Sequence, residues 1–395
     1  MTFPPPLMTS QSFARYTVLH RLPSIIADVI AENVYPPDIV ASLRALSDEI
    51  TNRPIAPLTE SAPDVAAWNQ AWEIYQGRTW LEIPWYFAES YFYRRLLEAT
   101  RYFQPDDWQG RDPFEARKRR ALEEAVAWRG LSEEGLVTGC GDERECFVYL
   151  LHASLWGNRA DLTNIALAAR PEDDLGRTSG DNLLVDHSEA MWTLVSSGDL
   201  QRVDFICDNA GLEILLDVDL TDFLLRKGLC QQVVFHLKDQ PFFVSDTMVK
   251  DIGPMLAALR QSGGTTAALA VRLEAYRRHG QWSLQDDTFW TSWLSFWDMP
   301  PRVHRELSKS DLIILKGDLN YRRLLDDRRW ASTTRLADIV GYFPRPFLTL
   351  RTLKAEIIVG LKEGQAEALT ATEPDWLVNG RRGLIHLVKP GYEAR

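Results

Sequence analysis

The sequence predicts an α/β protein whose largely parallel sheet follows a mostly helical amino-terminal region. Three observations carry this. Between Arg202 and Lys250, a short buried strand, an amphipathic helix and a second buried strand follow one another closely. Two later apolar runs, Leu312–Leu315 and Leu348–Leu350, also end abruptly in polar residues. Before about Arg170, by contrast, the apolar spacing is helical throughout.

Met1 to about Gln11 is rich in Pro, Ser and Thr and reads as a flexible tail. Tyr35-Pro-Pro-Asp-Ile opens a helix with Pro in its first turn and apolar contacts at Ile39, Leu43 and Leu46. Ser61-Ala-Pro-Asp starts another, carrying Trp68 and Trp72, and Pro84 begins a third, PWYFAESYFYRRLLEATRYF. In that aromatic segment Glu89, Arg94 and Arg95 are expected to point outward. Asp112-Pro113 opens a fourth helix, whose mixed charges read as solvated surface. The next, FVYLLHASLWGNRADLTNIALAAR, is interrupted by Asn158, Arg159 and Asp161, which face either solvent or a ligand. The polar stretch Glu172–Gly180 is the expected boundary: residues 1–11 a tail, 12–175 a helical domain, 176–395 an α/β domain.

The second region opens with a short extended piece and a helix ending at Gly198. Val203–Cys207 is then a strand stopped by Asp208-Asn209-Ala210-Gly211, where glycine permits a tight turn. Leu212, Leu215, Leu216, Leu220, Phe223 and Leu224 mark a helix that Gly228 closes, and Val233–Leu237 is the second strand. Such a βαβ unit implies parallel strands and a right-handed crossover. A helix from about Pro254 to Arg278 is broken near Gly263-Gly264. Trp290, Trp293 and Trp297 have helical spacing and read as a packing helix.

Ligands collect at the carboxyl ends of parallel strands. Four strand ends carry suitable groups: Asp208/Asn209, Lys238 with Asp246, Lys316/Asp318/Asn320/Arg322, and Arg351/Lys354. Two carboxylates and an amide oxygen are hard ligands for Mg²⁺ or Mn²⁺, and lysine or arginine suits phosphate. Together they suit phosphoryl transfer, where a metal and cations neutralise phosphoryl charge. His187 and His236 read as satisfied core residues.

Composition agrees. The 395 residues are 45% hydrophobic and 25% charged, with net charge −11 and pI about 5.3, which argues against nucleic acid or anionic membrane as main partner. The four cysteines form no CxxC pair, no apolar run is long enough to cross a bilayer, and the expected location is cytoplasmic. P-loop, GxSxG, HExxH and GxGxxG motifs are absent.

The sequence resembles the metal-dependent damage-control phosphatases, specifically the sugar-phosphate branch, members of which have also been labelled acidic-residue, or protein-glutamate, carboxyl methyltransferases. The resemblance rests on SLWGNRADL (154–162), DNAGLE (208–213), Ser245-Asp246, KGDLNYRRLL (316–325), Arg351-Thr-Leu-Lys354, which matches the branch's RTxK signature, and PWYFAESYFYRRL near the amino terminus. It implies a three-layer α/β/α sandwich with a Rossmann-like sheet, preceded by a helical domain. It also implies that Asp208, Asn209 and Asp246 bind a divalent metal, Mn²⁺ or Mg²⁺ with Co²⁺ or Ni²⁺ as alternatives. Asp208 and Asp246 are the expected catalytic residues, the nucleophile being either a water at the metal or one of these aspartates. Lys238, Asp318, Asn320, Tyr321, Arg322 and Lys354, with Glu89 and Asn158, are the expected substrate contacts. The expected substrates are ketose or aldose phosphates such as fructose 1- or 6-phosphate. Glu213 matches a position linked to a methyl donor, so the alternative is an S-adenosylmethionine-dependent protein-glutamate carboxyl methyltransferase. Against that alternative, the chain lacks the Gly-rich first loop commonly used to approach that cofactor.

Overall fold

The computed structural model describes residues 4–9, 12–131, 141–157 and 182–389. Seven strands, β1 (Leu183–Asp186), β2 (Arg202–Ile206), β3 (Gln232–Leu237), β4 (Trp282–Asp286), β5 (Leu312–Lys316), β6 (Phe347–Thr352) and β7 (Gly383–Val388), form one sheet in the order β1-β7-β6-β5-β2-β3-β4. Every pairing is parallel except β6 with β7. The four strands expected from sequence are thus contiguous parallel neighbours, which is what convergence of their polar ends requires. β4 and β7 were not anticipated. β4 is a half-buried edge strand of mixed polarity, and β7 is a short run following the Asn379-Gly380 turn and Arg381-Arg382.

Side chains alternate across the sheet. On β5, Leu312 and Ile314 enter one core while Ile313 and Leu315 enter the other, so helices cover both faces. The amino-terminal helices are α1 (Ser12–Tyr16), continued through a π-helical turn at Thr17–Arg21 into α2 (Leu22–Glu32), then α3 (Pro37–Asn52), α4 (Val65–Glu73) and α5 (Trp85–Ala99). The π-helical turn and α2 to α5 share a third core, with Ile39, Leu43, Leu46 and Trp68 buried as their spacing required, while Ala14 of α1 joins the second. α6 (Glu115–Leu131) and α7 (Glu143–Trp156) pack with the sheet instead: Ala125 and Phe147–Trp156 contribute to its first core. The expected boundary at 175/176 lies outside the described residues. The amino terminus, expected to be loose, lies against the body between Pro5 and Thr9. Met8 is buried, its N–H donates to Asp327 and its carbonyl accepts from Trp85.

The remaining helices are α8 (Ser188–Val195), α9 (Leu212–Arg226), α10 (Val249–Gln261), α11 (Gly264–Arg278), α12 (Pro301–Leu307), α13 (Gly317–Leu324), α14 (Leu336–Ile339) and α15 (Gln365–Thr372). α10 starts before Pro254 because the Asp251 carboxylate accepts the Met248 N–H and caps it at Val249. The tryptophan-rich stretch corrects a sequence expectation. It forms two 3₁₀ turns, Thr288–Thr291 and Phe296–Asp298, capped by Asp287 and Ser295, rather than one helix. The spacing misled because its three rings go to different places: Trp290 into the second core, Trp293 onto Trp68, Trp297 partly into solvent.

Charges expected on the surface are also inside. Glu89 and Arg94 of α5 are buried, Arg94 between Glu60 and Asp64, and Lys118 and Arg129 of α6 are buried against Asp112/Asp251 and Asp219. His236 is a paired core residue, its Nε2 2.8 Å from Asp204, and His187 Nδ1 accepts the Leu387 N–H.

Candidate active site at the carboxyl edge of the sheet

The chain runs from β2 through β3 to β4 in one direction, and from β2 past β5 to β6 in the other. Strand order therefore reverses between β2 and β5. At such a switch point the loops after adjacent strands diverge and leave a crevice. Here it is a cavity of about 350 Å³.

Asp208 and Asn209 follow β2 into it. Gly211, at φ 82, turns the chain into α9. The loop after β3 bends at Phe243 and Val244, both in left-handed backbone at φ 44 and 67. It returns antiparallel to the first loop: Ala210 N–H donates to Ser245 O (2.7 Å), Thr247 N–H donates to Asp208 O (2.8 Å), and Asn209 faces Asp246. The Asn209 amide is held firmly. Its Nδ2 donates to Asp208 Oδ2 (2.9 Å) and Glu213 Oε2 (2.8 Å), and its Oδ1 accepts from Ser245 Oγ (2.6 Å).

These residues fit a divalent cation. Asp208, Asn209 and Asp246 all line the cavity, and buried Asp246 Oδ2 accepts no hydrogen bond, although Lys238 Nζ lies 3.4 Å away. A buried carboxylate oxygen without a donor is a deficit that a metal fills. Burial pushes the Asp246 carboxyl up, opposed by the Lys238 and Lys118 ammonium groups. Gly317, the first residue of α13, makes room: a Cβ there would lie 1.9 Å from Asp208 Oδ2.

A second acidic group, Asp112, Glu115 and Asp251, brings three oxygens within 4.8 Å of one another, close enough to hold an ion. Two ammonium groups already pair with its three carboxylates. Lys118 Nζ lies 3.0 Å from Asp112 and 3.1 Å from Asp251, while Lys250 pairs with all three.

The expected substrate residues divide. Asp318 and Arg322, one turn apart on α13, line the cavity, whereas Asn320 and Tyr321 lie on the turned-away face, buried and outside the lining. Asn320 Nδ2 donates to Lys316 O, and the Tyr321 hydroxyl accepts from Val359 N–H. Asp318 Oδ1 accepts from Arg351 Nε (2.7 Å) and from Lys354 N–H (3.1 Å), which docks the RTLK turn on α13 and brings Lys354 to the cavity. Arg322 is gripped by Glu89 at 2.5 Å and by Asp327 at 2.9 and 3.1 Å, with its guanidinium 3.6 Å over the Trp85 ring. Burial pulls its pKa down, but Asp327 and Glu89 outweigh that and raise it. Lys238 corrects an expectation: it is buried against Asp246 and does not line the cavity, because an ammonium out of water must be paired. Asn158 lies outside the described residues, one position beyond Gly157 of the cavity wall.

Two further features qualify the sequence reading. Lys316, fully buried, donates to Ser154 O and Oγ and to Asp217 Oδ1 at 2.6–2.7 Å, with Glu213 Oε1 at 3.3 Å. Expected among the strand-end cations suited to phosphate, it is instead consumed by buried carboxylates and does not line the cavity. The second is Thr17 and Arg21 of the amino-terminal helix, which form part of the wall and carry no motif.

Comparisons with known proteins agree with this architecture. A family model described as the damage-control phosphatase ARMT1-like domain matches residues 17–369. Proteins named damage-control phosphatase ARMT1 are similar over nearly their whole length. That of Danio rerio is 34% identical, covering 97% of this chain and 96% of its own. That of Mus musculus is 33% identical (96% and 97%), and that of Homo sapiens 32% (96% and 97%). A DUF89 family protein from Pyrococcus horikoshii superposes with a TM-score of 0.55 over 96% of this chain and 98% of that one. At 14% identity, that likeness bears on the fold alone.

Proposed function

The chain belongs to the ARMT1-like damage-control phosphatase family, and on that premise we propose that it hydrolyses sugar phosphates, such as fructose 1- or 6-phosphate, in a reaction that needs a divalent metal. The observation that carries this reading is the antiparallel pairing of the Asp208 and Asp246 loops. It gathers two carboxylates and an oriented amide at a cavity that also receives Lys354. Mn²⁺ or Mg²⁺ held by Asp208, Asn209 and Asp246 would supply Lewis-acid polarisation of a phosphoryl oxygen.

The protein's own groups do the rest. Ser245 and Glu213 fix the amide of Asn209, and Lys238 supports Asp246 from behind. Lys354 and the Asp318–Arg322 face of α13 receive the substrate, with Glu89 and Asp327 holding Arg322 in place. In the overall reaction a water oxygen becomes bonded to phosphorus, the P–O bond to the sugar breaks, and the sugar oxygen leaves carrying a proton. Glu213, the position tied by resemblance to a methyl donor, is engaged by Asn209 and Lys316, so no observation favours the methyltransferase reading.

The test is a screen of phosphorylated metabolites against metal-stripped protein and protein loaded with Mg²⁺, Mn²⁺, Co²⁺ or Ni²⁺. The expected result is metal-dependent phosphate release from sugar phosphates, abolished by Asp246→Ala with the circular dichroism spectrum intact. Wild-type turnover by Asp246→Ala, or release indifferent to metal, overturns the assignment.

A further inference from the structure

The cavity wall carries donors that the protein itself leaves unused. Thr17 is fully buried and its hydroxyl has no hydrogen-bond partner. Trp85, 2% exposed, has an indole N–H equally without one. Arg21 sits where the cavity meets solvent, and its guanidinium makes no hydrogen bond or ion pair among the described residues. Thr17 and Arg21 begin and end the π-helical turn, four residues apart and so on one face. Single π turns inside α-helices are frequent at functional sites.

Buried donors in a folded protein are normally satisfied, so two on one cavity wall call for an acceptor supplied from outside. An unpaired guanidinium beside them gives that acceptor a sign. All three groups only donate in this role. A ligand presenting several negative oxygens and no obligatory donor, a phosphoryl group, matches them better than a sugar hydroxyl, which must also give its own proton away. Nearby cations are otherwise engaged: Arg322 is held by Glu89 and Asp327, Lys238 faces Asp246, and Lys316 faces Asp217 and Glu213. The cavity's Glu89 and Asp318 have arginine partners of their own, in Arg322 and Arg351; Arg21 attracts Glu89 at longer range without forming an ion pair with it.

Resting on the phosphatase reading above, we infer that Thr17, Arg21 and Trp85 bind phosphoryl oxygens of the substrate. The amino-terminal helices would then complete a site whose other half lies on the sheet edge. Arg322, stacked on Trp85, fixes the plane of that indole.

The experiment measures inorganic phosphate binding by calorimetry in Mn²⁺-loaded protein, and steady-state kinetics with fructose 6-phosphate and with p-nitrophenyl phosphate. Arg21→Gln should weaken phosphate binding roughly tenfold or more and raise KM for both substrates by a similar factor, with a smaller effect on kcat. Arg21→Lys should recover part of the loss, and the near-isosteric Thr17→Val should act in the same direction. Arg21 is exposed, so its variants should unfold at the wild-type temperature. Unchanged phosphate affinity in both Arg21→Gln and Thr17→Val overturns the inference while leaving the phosphatase reading in place. So does a KM increase confined to the sugar phosphate, which would put Arg21 on the sugar. Wild-type protein that neither binds phosphate nor hydrolyses either ester overturns the phosphatase reading itself.

Discussion

A single absent methyl group at Gly317 decides whether Asp208 has room beside β5. With φ at 83 and a would-be Cβ 1.9 Å from Asp208 Oδ2, Gly317→Ala carries both backbone strain and a clash. The strain alone costs about 1–2 kcal/mol, and the displaced carboxylate should lower turnover about 100-fold, the usual penalty for a misplacement near 1 Å. Thermal unfolding and phosphate release would separate the two effects, and near-wild-type turnover would count against Asp208 as a site residue. Asp208 and Asn209 stood out because the apolar run of β2 stops at them, whereas Asp246 lies in the loop beyond the end of β3. Lys238 was misplaced by the same logic: a strand end tells which edge a lysine occupies, not whether a carboxylate captures it first. Glu89 and Arg94 stood out as charges in an aromatic helix, but their burial depends on partners at Arg322 and at Glu60 and Asp64.

On α13, eight residues divide into a cavity face with Asp318 and Arg322 and a core face with Asn320 and Tyr321. The motif KGDLNYRR is therefore half cavity wall and half scaffold. Its first residue, Lys316, is the sole ammonium among the described partners facing Glu213 and Asp217, and burial pushes the Asp217 carboxyl up against it. Lys316→Met should destabilise the protein by about 3–5 kcal/mol, read from urea unfolding, because it strands two carboxylates in the interior. Adding Asp217→Asn should restore part of that loss. A pH effect belongs to β7. His386 is pushed down to about 4 by burial and by His187, and its Nδ1 has no hydrogen-bond partner. The unfolded chain takes up this proton near pH 6.5 and the folded protein only near 4, so stability falls as pH drops through that window. The loss should be about 1–2 kcal/mol, allowing for partial solvent access. It should flatten in His386→Gln, and an unchanged slope in that variant would assign the effect to another group.

Across the molecule, the reversal of strand order between β2 and β5 sets where chemistry can occur, and the amino-terminal helices close that place off. Two acidic clusters compete for the role of metal centre, and chelation can tell them apart. Mn²⁺ at about 100 times its Kd should stabilise the fold by about 2.7 kcal/mol, seen as a rise in unfolding temperature that EDTA reverses. Asp208→Asn should erase the rise, while Glu115→Gln, in the lysine-paired cluster, should leave it. The opposite pattern would move the centre to Asp112, Glu115 and Asp251. No helix among the described residues is long and apolar enough to cross a membrane.

By itself the sequence determined the βαβ unit, the four central strands and the polar residues at their tips. These follow from local periodicity, which sets side-chain direction within a few residues. Only the tertiary structure decided which tips open on the cavity and which are consumed by buried pairs. It also decided that a helix near the amino terminus forms one wall, and that the tryptophans part company. The reason is that desolvation compels every interior charge to find a counterpart. Those counterparts, Glu89 for Arg322 or Ser154 for Lys316, lie far away along the chain, where no local pattern can point to them.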